Sequence, residues 1–270
     1  MMPYHLPPLP QEIIDSIVEG LRDDKNALQR CALVSRHHFL RPARRHLFSA
    51  IKLYKPLHCQ RLLLVLRSNP EIGHFIRHVI ISNVQLLVQR EEITVVNILT
   101  FFPYLQSLAL SYIFWDTLST ELTSILYSLF RSPHLKRLSF IGVHDFPLED
   151  LGSLTQLESL YLSAMDGMRQ RSYPEAPSPE NIKGARGQLK SLEFGMGSMR
   201  SAKSMLSVLG HPRSRLGFSQ LTDLSVEVVN LETLNIFHSL MQAAGSSLKY
   251  FSSKLDFSRW PGRMFLQIRS

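Results

Sequence analysis

Apolar residues recur along this chain in two different rhythms, one near the N-terminus and another in the remainder. Within residues 9–48, apolar side chains such as Ile13 and Ile17 return at helical spacing. We therefore predict three short helices there, the second capped by Asp24 or Asn26. Three such helices bury little apolar surface alone, so we expect a partner or the rest of the chain to cover them.

A second pattern, apolar-x-x-apolar-x-apolar, recurs through the rest of the chain at steps of 22 to 32 residues. This spacing is typical of a leucine-rich repeat, in which a short strand buries alternate side chains and the rest of the unit returns outside it. Strands of an ordinary mixed sheet are the alternative. The predicted strands are residues 76–81, 105–110, 135–140, 157–162, 189–194 and 221–226, with a degenerate copy at 248–251.

The segments between the predicted strands differ in character. Residues 118–130 and 234–244 have helical apolar spacing and are expected to cover the outer side of a parallel sheet. Residues 168–188 hold three Pro and two Gly without apolar periodicity, and we predict a mobile insertion loop. The turn position that commonly holds Asn or Cys in such repeats has no Asn here, which predicts an irregular arc. It holds Ile113, Val143, Met165, Gly197 and Val229.

Composition and charge narrow the classes of function. An apolar content of 44% excludes a disordered chain, and two cysteines exclude a disulfide framework or a four-Cys zinc site. The net charge of +8 is concentrated in residues 36–90, which hold ten Lys or Arg and one acid, Glu71. Such a patch can steer a nucleic acid, a membrane surface or an acidic protein partner.

Motifs for catalysis and for cofactor or metal binding are missing from the sequence. There is no Gly-rich phosphate loop, and His37, His38 and His46 lack the spacing of a metal site. We predict no catalytic residues, no cofactor and no metal. No signal peptide and no apolar run of membrane-spanning length is found, so we expect an intracellular protein, cytoplasmic or nuclear.

The N-terminal residues carry a resemblance to a known family. Leu9-Pro10-Gln11-Glu12 opens the first helix, Leu33-Val34-Ser35-Arg36 ends the second, and Arg44-Arg45-His46-Leu47-Phe48 ends the third. Together these elements resemble an F-box, in the variant of mushroom-type fungal F-box proteins that continue into leucine-rich repeats. The family usually has an aromatic residue four positions after Val34, whereas this chain has His38 there and Phe39 one later.

The resemblance implies an adaptor role. It implies that residues 1–55 bind the acidic Skp-type adaptor of a cullin ubiquitin ligase, while residues 56–270 hold a protein substrate for ubiquitin transfer. The expected fold class is therefore α plus α/β, a three-helix F-box followed by an irregular leucine-rich-repeat-like solenoid. The implied adaptor-binding residues are Leu9, Pro10, Ile13, Ile14, Ile17, Leu21, Leu28, Cys31 and Val34.

The strand pattern also predicts which side chains lie on the open face of the sheet. Aromatic and charged residues on that face are candidate substrate contacts, since Arg and Tyr are enriched in binding hot spots. They are Arg137, Tyr161, Glu193, Glu227 and Tyr250. Two other functions stay open: a leucine-rich-repeat scaffold without a ligase role, and a nucleic-acid binder that uses the basic residues 36–90.

Overall fold

Helices and parallel strands alternate along most of the chain in the computed structural model. Its described residues are 9–35, 38–147, 150–151, 154–165, 187–195, 216–228 and 231–255. Within them, buried apolar side chains form two separate cores, one inside the N-terminal helices and one beneath a parallel sheet. The mixed helix and parallel-sheet class that the sequence predicts is therefore present.

The N-terminal unit comprises three helices, as the apolar spacing predicts: α1 (Gln11–Gly20), α2 (Lys25–Val34) and α3 (Leu40–Leu47). Pro10 precedes α1, and its carbonyl oxygen accepts hydrogen bonds from the backbone N–H groups of Ile13 and Ile14. A proline suits this place because its missing N–H would find no partner at a helix start. Asp24 caps α2, where one carboxylate oxygen accepts two backbone N–H bonds at 3.0 and 2.9 Å.

The core of the N-terminal unit is small. Four fully buried side chains form it, one or two from each helix: Ile14, Val18, Leu28 and Ala43. Phe39 packs against this cluster from the residue before α3, while His38 is exposed. The aromatic side chain that lies one position late in the sequence therefore still reaches the core.

An eight-stranded parallel sheet follows, with its strands hydrogen-bonded in chain order. All the predicted strands are present as parallel neighbours, which confirms the predicted parallel pairing in chain order. Two further short strands, Gly187–Gln188 and Leu216–Gly217, pair with each other. The strands are β1 (Ala50–Leu53), β2 (His78–Ile81), β3 (Ser107–Phe114), β4 (Arg137–His144), β5 (Ser159–Ser163), β6 (Gly187–Gln188), β7 (Ser191–Phe194), β8 (Leu216–Gly217), β9 (Asp223–Val228) and β10 (Tyr250–Leu255).

Helices cover one face of the sheet. The longer ones are α4 (Pro56–Ser68), α5 (Val84–Leu99), α6 (Thr120–Phe130) and α7 (Leu231–Ala244), and 3₁₀ turns span Pro70–Phe75, Trp115–Thr117 and Gly245–Ser247. Helices α6 and α7 confirm the two predicted helical returns. Buried residues of all four helices join the inward side chains of the strands in one core. The opposite face of the sheet carries the alternate, more exposed residues.

A residue with left-handed backbone recurs at one repeat position, near the carboxyl end of β3 and β4 and just after the aligned part of β2 and β5. Asn83, Tyr112, Gly142 and Ala164 all have φ between +49° and +61° and occupy the same place in successive repeats. Each is followed by a buried apolar side chain: Val84, Ile113, Val143 and Met165. The positive φ turns the chain so that this next residue enters the core. Gly197 and Val229, at the same repeat position, lie outside the described residues.

Two boundaries predicted from the sequence differ in part from the elements of the structure. Strand β1 was not predicted, and it pairs with β2 in the sheet although it lies on the N-terminal side of the predicted boundary at residue 55. Most of the predicted loop at 168–188 lies outside the described residues. Its last two residues belong to β6, so the end of that segment is a short strand rather than loop.

Candidate protein-interaction surfaces

The predicted adaptor-binding residues divide into three groups by exposure. Ile14 and Leu28 are buried in the N-terminal core, and Leu21 and Cys31 are half-buried against it. The other five are exposed: Leu9, Pro10, Ile13, Ile17 and Val34. Ile14 and Leu28 therefore hold the three helices together, and including them in a contact face was wrong because their side chains are inside.

The exposed apolar residues of the N-terminal unit define what we call the apolar face: Leu9, Ile13, Ile17, Leu33 and Val34. Ile13 and Ile17 lie one turn apart on α1 and are 48% and 45% exposed, while Leu33 and Val34 at the end of α2 are 85% and 75% exposed. Leu33 was missed by the sequence analysis. Its signal was available, since it falls outside the stripe of Leu28 and Cys31 that packs inward on α2.

The register of the sheet places all five predicted substrate contacts on the open face. Arg137 and Tyr250 occupy one row of aligned residues. Tyr161 and Glu193 pair directly in the next row, and Glu227 lies in a third, beside Lys254. The side chains of Arg137, Glu193 and Tyr250 are exposed and that of Tyr161 is half-buried. The register agrees with the predicted rows of aligned residues, and a role of these residues in substrate binding stays a prediction.

Charge is distributed unevenly across the open face. The first four strands contribute Lys52 and Arg137, and strands β7 and β9 contribute Glu193 and Asp223. Among the residues whose side chains the structure describes, the face therefore runs from basic at the N-terminal repeats to acidic at β7 and β9. Opposite charges separated along one surface select partners by complementary charge and fix their direction of binding.

His78 and Arg137 form a defined polar pair at the basic end. Arg137 Nη2 lies 3.2 Å from His78 Nδ1. Burial, and after it the positive charges of Arg137 and Arg77, lower the pKa of the His78 imidazole. These effects favour the neutral form of His78, in which Nδ1 can accept a hydrogen bond from the guanidinium.

An aromatic cluster that the sequence analysis missed lies at the carboxyl ends of β3 and β4. Phe114 stacks on the ring of His144 with centres 4.6 Å apart, and Tyr112 lies over Gly142. Tyr112 and Phe114 are both largely exposed. Simple alternation would direct Tyr112 inward, but its left-handed backbone reverses the alternation, which buries Ile113 instead.

Tyr161 reaches across the open face toward the next strand. A Cβ atom at Gly195 would lie 2.9 Å from the Tyr161 hydroxyl and 2.6 Å from Ser163 Oγ. Glycine at position 195 therefore leaves the space that this tyrosine occupies. The hydroxyl of Tyr161 is placed near the centre of the face, between its basic and acidic ends.

The described residues hold no arrangement typical of a metal site. No group of three His, Cys, Asp or Glu side chains lies close enough to bind a metal in these ranges. His46 instead approaches Glu19 at 3.4 Å, and burial raises the pKa of the Cys59 thiol to about 11, which keeps it protonated. No helix in this part of the chain combines the length and apolar character needed to cross a membrane.

Comparison with known proteins adds no relative. No protein-family model and no curated protein matches this chain. The F-box resemblance of the first 48 residues stays a prediction, and function is argued from the two surfaces described above.

Proposed function

We propose that this protein is the substrate-recognition subunit of a Skp–cullin–F-box type ubiquitin ligase. The N-terminal unit would bind the Skp-type adaptor, and through it a cullin, while the open face holds a protein substrate. The chain itself would contribute no catalytic residue. The observation that carries this proposal is the apolar face, which stays exposed although the N-terminal unit already has a closed core.

The physical argument rests on the cost of leaving apolar side chains in water. Burying a Leu, Ile or Val side chain stabilises a contact by about 1.5–3 kcal/mol. Four such side chains, Ile13, Ile17, Leu33 and Val34, lie on a unit only three helices in size. A partner that covers them gains several such contributions, and the basic residues 36–90 would speed its encounter if that partner is acidic.

The substrate would lie along the open face, where the charge gradient supports recognition of a partner with the reverse gradient. Acidic groups of the substrate would meet Arg137, and basic groups would meet Glu193. Exchanging the two charges tests this. The double variant Arg137→Glu, Glu193→Arg should lose the substrate but keep the adaptor, because both residues lie on the sheet and not on the apolar face.

Co-purification with a Skp-type adaptor tests the ligase role. Ile17→Asp places a charge in the proposed dry contact, and an unpaired buried charge costs on the order of 3–5 kcal/mol. We expect adaptor capture to fall at least ~100-fold, with the circular dichroism spectrum unchanged because Ile17 is half-exposed in the free protein.

Ile93→Asp is the matched control. Ile93 is also an exposed isoleucine with acidic neighbours on a helix, but it lies on α5, away from the N-terminal unit. It should capture the adaptor as the wild type does. If Ile17→Asp binds normally, or if the wild type never binds, a repeat scaffold without a ligase role becomes the better account.

A further inference from the structure

A polar cleft lies where the N-terminal unit meets the first repeats. Its volume is about 670 Å³, within the range of ~300–1,000 Å³ typical of small-ligand sites. Residues of α1, α3 and the Pro70–Phe75 turn line it. Its basic and aromatic lining includes Arg41, Arg45, His46, His74, Arg77 and Tyr104. We call it the junction cleft.

Arg77 has a defined orientation in the junction cleft. Its Nη1 donates hydrogen bonds to the carbonyl oxygens of His74 at 2.6 Å and Ile76 at 3.3 Å, and its guanidinium lies 5.3 Å from the ring centre of Tyr104. Tyr104 is itself held edge-on between His74 and His134. Among the described residues, no hydrogen bond uses Arg77 Nε or Nη2, so both can donate to a ligand.

Arg45 brings a second positive charge to the same place. Burial, and after it the charge of Arg45, lower the pKa of the Arg77 guanidinium. The Arg45 side chain is exposed, and in the described part of the chain it makes no hydrogen bond or ion pair. Two guanidinium groups near each other repel, and that repulsion is relieved when an anion lies between them.

The carboxylates that line the junction cleft have other partners. Asp15 accepts a hydrogen bond from Gln11 at 2.8 Å. Glu19 pairs with Arg22 at 3.3 Å and approaches His46 at 3.4 Å. Neither forms an ion pair with Arg45 or Arg77 within the described residues, so neither arginine is directly paired with a carboxylate there.

We infer that the junction cleft binds a phosphate group between the guanidinium groups of Arg45 and Arg77. A guanidinium presents parallel N–H donors that match two phosphate oxygens, and charge-assisted bonds of this kind are about twice as strong as neutral ones. The phosphate could belong to a small free polyphosphate or to a phosphorylated side chain of a partner. Both sources offer the same chemistry, and binding is independent of adaptor capture at the apolar face.

Calorimetric titration of the full chain at constant ionic strength tests this inference. The probes are pyrophosphate, a phosphoserine peptide and the same peptide without its phosphate. The key variant is Arg45→Gln, since this exposed side chain has no described structural bond. The control is Arg67→Gln, which removes an exposed arginine from the end of α4, outside the cleft. Arg77→Lys keeps the positive charge but loses the parallel N–H donors of the guanidinium. It is a second test if Arg45→Gln fails to fold.

The wild type should bind pyrophosphate, the phosphopeptide or both, and which of them binds identifies the source. Each variant loses a charge-assisted hydrogen bond to the phosphate, so Arg45→Gln and Arg77→Lys should each bind at least ~10-fold more weakly. Arg67→Gln should bind as the wild type does. The inference is overturned if neither phosphorylated probe binds, if the unphosphorylated peptide binds equally well, or if Arg67→Gln loses as much affinity as Arg45→Gln.

Discussion

The N-terminal unit and the parallel sheet differ in how completely they bury their apolar side chains. The core of the N-terminal unit has four buried side chains, and its helices leave Ile13, Ile17, Leu33 and Val34 in solvent. Among the described residues, the core beneath the sheet is one cluster with members from Leu53 to Ala244, and the open face of the sheet is mostly small and polar. The contrast is that the sheet is covered by its own helices, whereas the N-terminal unit leaves apolar side chains exposed, which in our proposal a partner covers.

The largest expected effect comes from truncating a side chain in the core beneath the sheet, and it is compared with truncation of a side chain on the apolar face. Phe140 is fully buried, with Phe146 and Phe130 as ring neighbours at 4.8 and 6.0 Å. Phe140→Ala should lower the free energy of unfolding by about 3–5 kcal/mol, because it removes a large side chain and leaves a cavity. Ile13→Ala should cost less than about 1 kcal/mol. Urea denaturation measures both, and an equal cost would show that Ile13 belongs to a core.

A matched pair of substitutions tests the left-handed turn that recurs in the repeats. Gly142 has φ of +61°, and a Cβ there would lie 2.9 Å from the Tyr112 ring. Gly142→Ala should therefore lower the free energy of unfolding by about 1–2 kcal/mol. Ala164 has the same conformation with φ of +49°, so Ala164→Gly should be neutral or stabilising by up to about 1 kcal/mol. If both substitutions shift the melting temperature in the same direction, the idea that positions 142 and 164 share one left-handed conformation is contradicted.

A smaller effect is expected at the amino-terminal ends of the central strands. Glu158 pairs with Lys190 at 2.9 Å and with Lys136 at 3.3 Å, and these contacts, that with Lys190 foremost, lower the pKa of its carboxyl group. The stability it contributes is present above its unfolded pKa and is lost as the pH falls through the folded value. Because the cluster is solvated, Glu158→Gln should cost less than about 1 kcal/mol at neutral pH. If the stability lost in Glu158→Gln is undiminished in 1 M salt, the interaction of Glu158 with the lysines is not a screened surface ion pair.

The most local prediction concerns the protonation of His78. Its pKa should lie below the ordinary value of 6.5, and replacing the neighbouring charge by Arg137→Gln should raise it. A histidine whose pKa is lowered in the folded state stabilises the fold only in its neutral form. That stabilisation is therefore lost as the pH falls through the folded pKa. Titration followed by nuclear magnetic resonance of the imidazole protons measures both values. If the pKa of His78 is unchanged in Arg137→Gln, the charge of Arg137 does not act on His78.

The strands and their order could be predicted because each repeat carries three apolar residues that must face one core. Leu108 and Leu110, for example, are buried as alternate residues of β3. Strand β1 escaped the sequence analysis because Ala50–Leu53 holds only one buried residue and no repeat motif. The turn was also missed. Asn83 and Gly142 are residue types that favour positive φ, but Tyr112 and Ala164 are not, so their conformation is imposed by the packing of the residue that follows.

The candidate surfaces were predicted unevenly for a similar reason. Helical spacing identifies apolar residues but does not decide which of them face inward when a helix is apolar on more than one side. On α1, Ile14 and Val18 entered the core while Ile13 and Ile17 stayed outside. The junction cleft could not be predicted at all, because Arg45 and Arg77 are far apart in sequence and meet only through the packing of the N-terminal unit on the first repeats.

Hydrogen–deuterium exchange of the wild type, with and without a Skp-type adaptor, tests the central claim most directly. Amide exchange reports which segments a partner covers or stabilises. The account predicts slower exchange within residues 9–35 when the adaptor is added, with strands β3 to β5 unchanged. Unchanged exchange in residues 9–35, or protection confined to the sheet, would contradict the assignment of the apolar face to the adaptor.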